Sequence, residues 1–101
     1  MSELFAIKYE EHSKRFVVTG EMTLESAKIA LIESKGVFDA VNDIEIDLQH
    51  VTQADSAGLA LLVDWMRAAK KAKKSIAFKH LPEQMDAIAK ASGLDELLPL
   101  K

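Results

Sequence analysis

The stretch TQADSAGLALL, residues 52–62, sets an acid and a hydroxyl side by side where a strand-like segment gives way to an apolar run. Asp55 and Ser56 are the residues whose types and spacing invite chemistry. ADSAG differs by one residue from G-x-S-x-G, and a strand-to-helix turn is the setting of a nucleophile elbow. A serine nucleophile also needs a base and an acid to orient it. In chain order the base would be His80 and the acid Asp64. Asp64 lies about two turns along the helix that Ser56 begins, badly placed to orient His80. The chain is also short for a hydrolase scaffold with a substrate pocket. Nucleotide binding finds no support either, because neither G-x-x-x-x-G-K-[ST] nor G-x-G-x-x-G occurs.

Two roles then stand open for the pair. A helix N-terminus carries unpaired amides and partial positive charge, so a phosphoryl group on Ser56 would meet the amides that follow it. Asp55 would oppose the added charge, and the surface would change sharply on modification. The plainer role is that Asp55 or Ser56 caps the helix.

The elements that must position this pair follow from hydrophobic period. ELFAIKYE (3–10) alternates Phe5, Ile7 and Tyr9, and RFVVTGE (15–21) is apolar at Phe16, Val17 and Val18, so a hairpin is expected, with Gly20 ending its second strand. MTLESAKIALIES changes period. Leu24, Ala27, Ala30 and Leu31 recur at helical spacing and predict a helix over 24–34 with these four on one face. Thr23 is its candidate cap; Ser26 stands where a capping box has Glu, so no box is expected, and Gly36 is a possible break. IEIDLQ (44–49) alternates Ile44, Ile46 and Leu48 against Glu45 and Asp47, which predicts one buried and one wet face. A long helix over 56–74, a strand over 75–80 and a helix over 82–92 opened by Pro82 and closed by Gly93 complete the chain.

The order β-β-α-β-α-β-α predicts an α/β fold. Strands two, three and four should be parallel, strand one should be an antiparallel edge, and the helices should cover mainly one sheet face. The loops Gly20–Thr23, Val51–Asp55 and His80–Pro82 each follow a parallel strand. They should share the end where such sheets meet ligands and partners.

Composition narrows the function. The chain has 101 residues, 49% hydrophobic and 29% charged, with net charge −3, six aromatics and no cysteine. This reads as one globular domain without disulfides, thiol chemistry or Cys-based zinc, and a poor candidate for nucleic acid. No apolar run approaches the roughly 18–20 residues of a membrane span, and the acids near the N-terminus argue against a signal peptide, so a cytoplasmic protein is expected. His12, His50 and His80 lack metal-like spacing and read as ordinary surface residues. KKAKK (70–74) reads as a solvated helix end favoured by the dipole.

The long helix has a surplus of apolar residues. Leu59, Leu62, Val63, Met66 and Ala69 suffice to face the sheet, which leaves Ala57, Leu61, Trp65, Ala68 and Ala72 as a second stripe. Trp65, the sole tryptophan, lies on it. Such a stripe either packs on a neighbouring helix or anchors a partner, with Asp64 and Arg67 at its border.

IEIDLQHVTQADSAGLALLVDWMRAAKK resembles the signature region of STAS domains, the fold of bacterial anti-sigma factor antagonists, and VTGEMTLESA resembles the end of strand two and the start of the first helix in that family. The resemblance covers almost the whole chain. It implies a single STAS domain over 1–101, with a four-stranded mixed sheet. In the anti-sigma antagonists the hydroxyl after the Asp is the phosphorylation switch, which corresponds to Ser56, with a serine kinase or anti-sigma factor as partner.

DSAGLALLVDW and SGLDELLP resemble one branch more closely, the STAS subunits of ABC transporters that move phospholipids between the two membranes of Gram-negative bacteria and maintain outer-membrane lipid asymmetry. That resemblance implies no enzyme activity and no cofactor. It implies binding to the transporter's ATPase subunit, and through it the permease, at the inner membrane without direct insertion. The implied contact comprises Asp55, Ser56, Ala57 and Gly58 with Thr52, Leu61, Asp64, Trp65 and Ala68, joined by Gly20 and Glu21. Ala57 stands where sigma-pathway members often have Ser, which leans away from that branch.

Overall fold

The computed structural model describes residues 4–100. Glu3, with which the expected first strand begins, and Lys101 at the other end lie outside the described residues. Strand β1 (Phe5–Glu10) turns through 11–14, where Lys14 takes a φ of 56°, into β2 (Arg15–Met22). Then follow α1 (Ala27–Ser34), β3 (Asp43–Ala54), α2 (Ser56–Lys71), β4 (Ser75–Lys79), α3 (Glu83–Ser92) and a 3₁₀ turn at Leu94–Glu96. Gly93 closes α3 in the left-handed conformation, φ 77°, as its position after the last apolar repeat predicts.

The four strands lie in the order β1-β2-β3-β4, with β1 antiparallel to β2 and the other neighbours parallel. Both helical crossovers step the same way across the sheet, so the right-handed rule sets α1 and α2 on one face. The alternation agrees: Phe5, Phe16, Val18, Ile44, Ile46, Leu48 and Phe78 from the strands share one core with Leu59, Leu62, Ala69, Met85 and Ala89 from the helices. The free edge of β4 is partly covered by the chain's own end, because the Phe78 amide donates to the Pro99 carbonyl at 2.9 Å.

Four expectations need correction. Gly20 does not end β2 but sits inside it at a register shift, with φ +91°. A Cβ there would lie 2.3 Å from the Leu4 carbonyl oxygen, so close strand approach, not chain termination, demands the glycine.

The second concerns α1. Its buried residues are Ala30 and Ser34, with Ser26 just before them, while Leu24 is 78% and Leu31 54% exposed. Small residues at a four-residue step let the helix lie close to its neighbours and turn the large ones outward. The helix begins at Ala27, not 24, and its N-cap is Ser26, not Thr23, with no side-chain cap hydrogen bond. The Thr23 amide donates to Ser26 Oγ at 2.9 Å and the Ser26 amide to Thr23 Oγ1 at 3.4 Å, which closes the turn before the helix.

Third, the three loops do not form one cluster. β4 pairs with β3 only as far as Asp47↔Lys79, whereas β3 runs on beside β2 to Ala54. Seven further residues at about 3.3 Å each leave the His80–Pro82 loop roughly 20 Å behind the other two.

Fourth, Asp47 is buried, although it sits on the strand face expected to be wet. His80 Nδ1 lies 2.9 Å from Asp47 Oδ1, the Gln49 amide donates to the same oxygen at 2.9 Å, and Arg15 stands 3.7 Å from Oδ2. These groups close over the carboxylate. His80 is therefore not an idle surface residue.

Candidate functional site

The site is built where β2 enters α1 and β3 enters α2. Asp55 takes an extended backbone, φ −139°, and its Oδ1 accepts from the Ala57 amide at 2.8 Å and the Gly58 amide at 3.4 Å. Asp55 is thus the cap of α2, and Ser56 is not. Asp55 Oδ2 accepts the Leu24 amide at 3.1 Å, and the Asp55 amide donates to the Met22 carbonyl at 3.2 Å. One side chain thereby caps one helix and fixes the entrance to the other.

Ser56 is exposed at the first position of α2. Among the described residues its hydroxyl has no hydrogen-bond partner, so it is free to meet another molecule. The two amides that follow it are already held by the Asp55 carboxylate, which leaves a phosphoryl group on Ser56 fewer donors than the sequence alone suggests.

Gly58 explains the close seating of α2. A Cβ at this position would fall 2.1 Å from the Met22 carbonyl oxygen and 2.8 Å from Met22 Cβ. Nearby, Thr52 is exposed and its hydroxyl donates to the Gly20 carbonyl at 3.1 Å. Glu21 accepts from the Thr23 hydroxyl at 3.2 Å, and its carbonyl accepts from Ser26 Oγ at 2.7 Å. Gly20 and Glu21 at the end of β2, Thr52 at the end of β3, and Asp55 and Ser56 at the start of α2 therefore gather at one end of the sheet, where β2 and β3 run further than the expected loops Gly20–Thr23 and Val51–Asp55 allowed.

The rest of the expected contact divides. Leu61 and Trp65 are only 5% and 6% exposed, so the stripe through them is not an open flank. α2 is the middle helix of its layer, with α1 on one side and α3 on the other. Trp65 meets Phe38 edge-on with ring centres 5.7 Å apart and Phe5 at 6.4 Å. It is a core residue. Asp64 and Ala68 on the same helix are exposed.

The open apolar surface lies on α1 and the turn that precedes it instead. Leu24, Ile29, Leu31 and Ile32 are all exposed. Beside Leu31 a groove of about 220 Å³ runs between α1 and α2, lined by Ala27, Leu31, Ala57, Ala60, Leu61 and Asp64. Leu61, buried as it is, belongs to its lining. Sequence pattern missed this surface because it assigned Leu24 and Leu31 to the core. The weak amphipathicity of ALIES, with Leu31 and Ile32 adjacent and Ser34 following, was the available signal.

Among the described residues no group of His, Asp or Glu is placed to hold a metal ion, and no helix is long and apolar enough to cross a membrane. The family described as MlaB, STAS domain, matches residues 5–99. The chain belongs to the STAS domain family.

Solved structures agree on the fold. A Thermotoga maritima protein superposes with a TM-score of 0.69 at 20% identity, over 97% of this chain and 86% of that one. An anti-sigma factor antagonist of Mycobacterium paratuberculosis gives 0.67 at 24% identity, over 95% and 84% of the two chains. The anti-sigma factor antagonist SpoIIAA in its unphosphorylated form gives 0.65 at 19% identity, over 96% and 87%. No curated protein sequence matches the chain.

Proposed function

We propose that this STAS domain is a non-catalytic regulatory subunit that binds the ATPase of an ABC transporter for phospholipids, on the cytoplasmic side of the inner membrane, and supports its assembly and activity. The observation that carries the reading is the exposed Ser56 beside an apolar groove and an apolar α1 surface left exposed among the described residues. A family described as MlaB supports the choice of partner. The ATPase docks on the outward faces of α1 and the first turns of α2. Asp55 acts from beneath by fixing both loops, Gly58 by seating α2, and Trp65 by filling the core under it.

The test is co-purification of the domain with its cognate ATPase. Ser56→Glu and Leu31→Asp should each abolish it in folded protein. Retention by both variants overturns the surface.

A second reading is an anti-sigma factor antagonist switched by phosphorylation of Ser56. Its support is the free hydroxyl at a helix start, together with a fold shared with a Bacillus protein, SpoIIAA, solved in its phosphorylated form. Against it, Asp55 already occupies the neighbouring amides. Incubation with a candidate serine kinase followed by mass spectrometry decides: phosphate on Ser56 favours this reading, and unlabelled protein removes it.

A further inference from the structure

Charge is divided along α2. Between Asp55 and Asp64 the chain carries those two acids and no cation, whereas from Arg67 to Lys74 it carries five cations and no acid. Arg67, Lys70, Lys71 and Lys73 are exposed, and among the described residues none of them is in an ion pair. The two ends of the helix stand roughly 20 Å apart. The chain that packs beside the first half of α2 is acidic too: between 21 and 33, Glu21, Glu25 and Glu33 stand against Lys28 alone.

These acids border the apolar surface of α1 and its preceding turn. Asp64 is exposed on the wall of the groove between α1 and α2, and among the described residues its carboxylate has no ion-pair partner. Glu21, Glu25 and Asp55 line a neighbouring hollow of about 340 Å³ together with Leu24. Lys28, the one cation, is exposed three and four residues before Leu31 and Ile32, so it shares their face of the helix.

An apolar surface rimmed by acids is complementary to an apolar patch rimmed by cations. We infer that the element of the partner that docks on α1 and the first turns of α2 is basic, presenting a lysine or arginine to Asp64 beside an apolar side chain seated in the groove. The inference rests on the docking surface proposed for the ATPase and adds the partner's chemistry. It also gives the lysine-rich end of α2 a use. A basic partner is drawn to the Ser56 end and repelled from the far end, which sets the orientation of approach before contact.

The test is the rate and affinity of association with the cognate ATPase, measured at low and at high salt. Wild-type association should slow at high salt. Asp64→Lys should weaken binding by about three- to tenfold, mainly through the association rate, and Lys28→Glu should strengthen it by about two- to fivefold, the range of exposed charge pairs. Lys70→Glu, at the far end, should leave affinity within about twofold. All three positions are exposed, so the melting curves should hold still. A salt-independent rate, or no change or the opposite change in Asp64→Lys or Lys28→Glu while Leu31→Asp abolishes binding, would overturn the basic partner and leave the docking surface standing. A wild type that does not bind the ATPase, or one that loses binding through Lys70→Glu and keeps it in Leu31→Asp, would overturn both.

Discussion

The Asp55 carboxylate and the Leu24 amide, 31 residues apart in the chain, meet at 3.1 Å across the end of the sheet. The other oxygen of the same carboxylate caps α2. The acid beside Ser56 therefore holds the shape of the surface, and the hydroxyl is left exposed. Asp55→Ala should lower stability by about 1–2 kcal/mol, because it removes the cap and the tie to α1 together. Asp55→Asn keeps an acceptor and should cost less. Urea denaturation of the two variants compares them.

Gly58→Ala should be among the most damaging single-methyl additions. The new Cβ would meet backbone of β2, which cannot swing away as a side chain can. A loss at or beyond the roughly 1–3 kcal/mol of ordinary overpacking is expected. Thermal unfolding of Gly58→Ala against Ala57→Ser, at a half-buried neighbour, isolates the effect.

Trp65 and Leu31 should separate stability from binding. Trp65→Ala removes a buried ring and should cost about 3–5 kcal/mol. Leu31→Asp alters an exposed side chain and should shift stability by no more than about 0.5 kcal/mol. Circular dichroism melts of both variants check the contrast.

Much of this was legible in the sequence. The clean alternation of Ile44, Ile46 and Leu48 predicted a strand with a helix-covered face, and the β-β-α-β-α-β-α order fixed which strands run parallel. Sequence period speaks of one element at a time, however. It cannot say that α2 has a helix on each side, so Leu61 and Trp65 read as surplus when they are core. Nor can it say that α1 buries Ser26, Ala30 and Ser34 in preference to its leucines, since that depends on how closely the helix approaches. At the site, the expected residues Asp55, Ser56, Gly58, Thr52, Gly20 and Glu21 do share one end of the sheet. The Asp47–His80 pair was missed because strand alternation placed Asp47 in water, and only the fold brings His80 over it.

Burial pushes the Asp47 carboxyl up, but the hydrogen bonds from His80 and the Gln49 amide, with the charges of His80 and Arg15, outweigh it and hold the carboxyl below its ordinary 3.8. A carboxyl lowered in the folded state adds stability that is complete above its unfolded value and is lost as pH falls through the folded one. Wild-type stability should therefore fall away below about pH 4, and Asp47→Asn should show a shallower acid slope. Urea midpoints measured from pH 7 to pH 3 give both slopes; parallel curves would contradict this assignment.

The central claim is that the exposed face of α1, beside Ser56, receives the partner. Its most direct test is the dissociation constant of the purified domain with its cognate ATPase, measured for wild type and Leu31→Asp. The account predicts a loss of about 30-fold or more, the scale of an interface hot spot, with an unchanged melting curve. Equal affinity of the two folded proteins would contradict it.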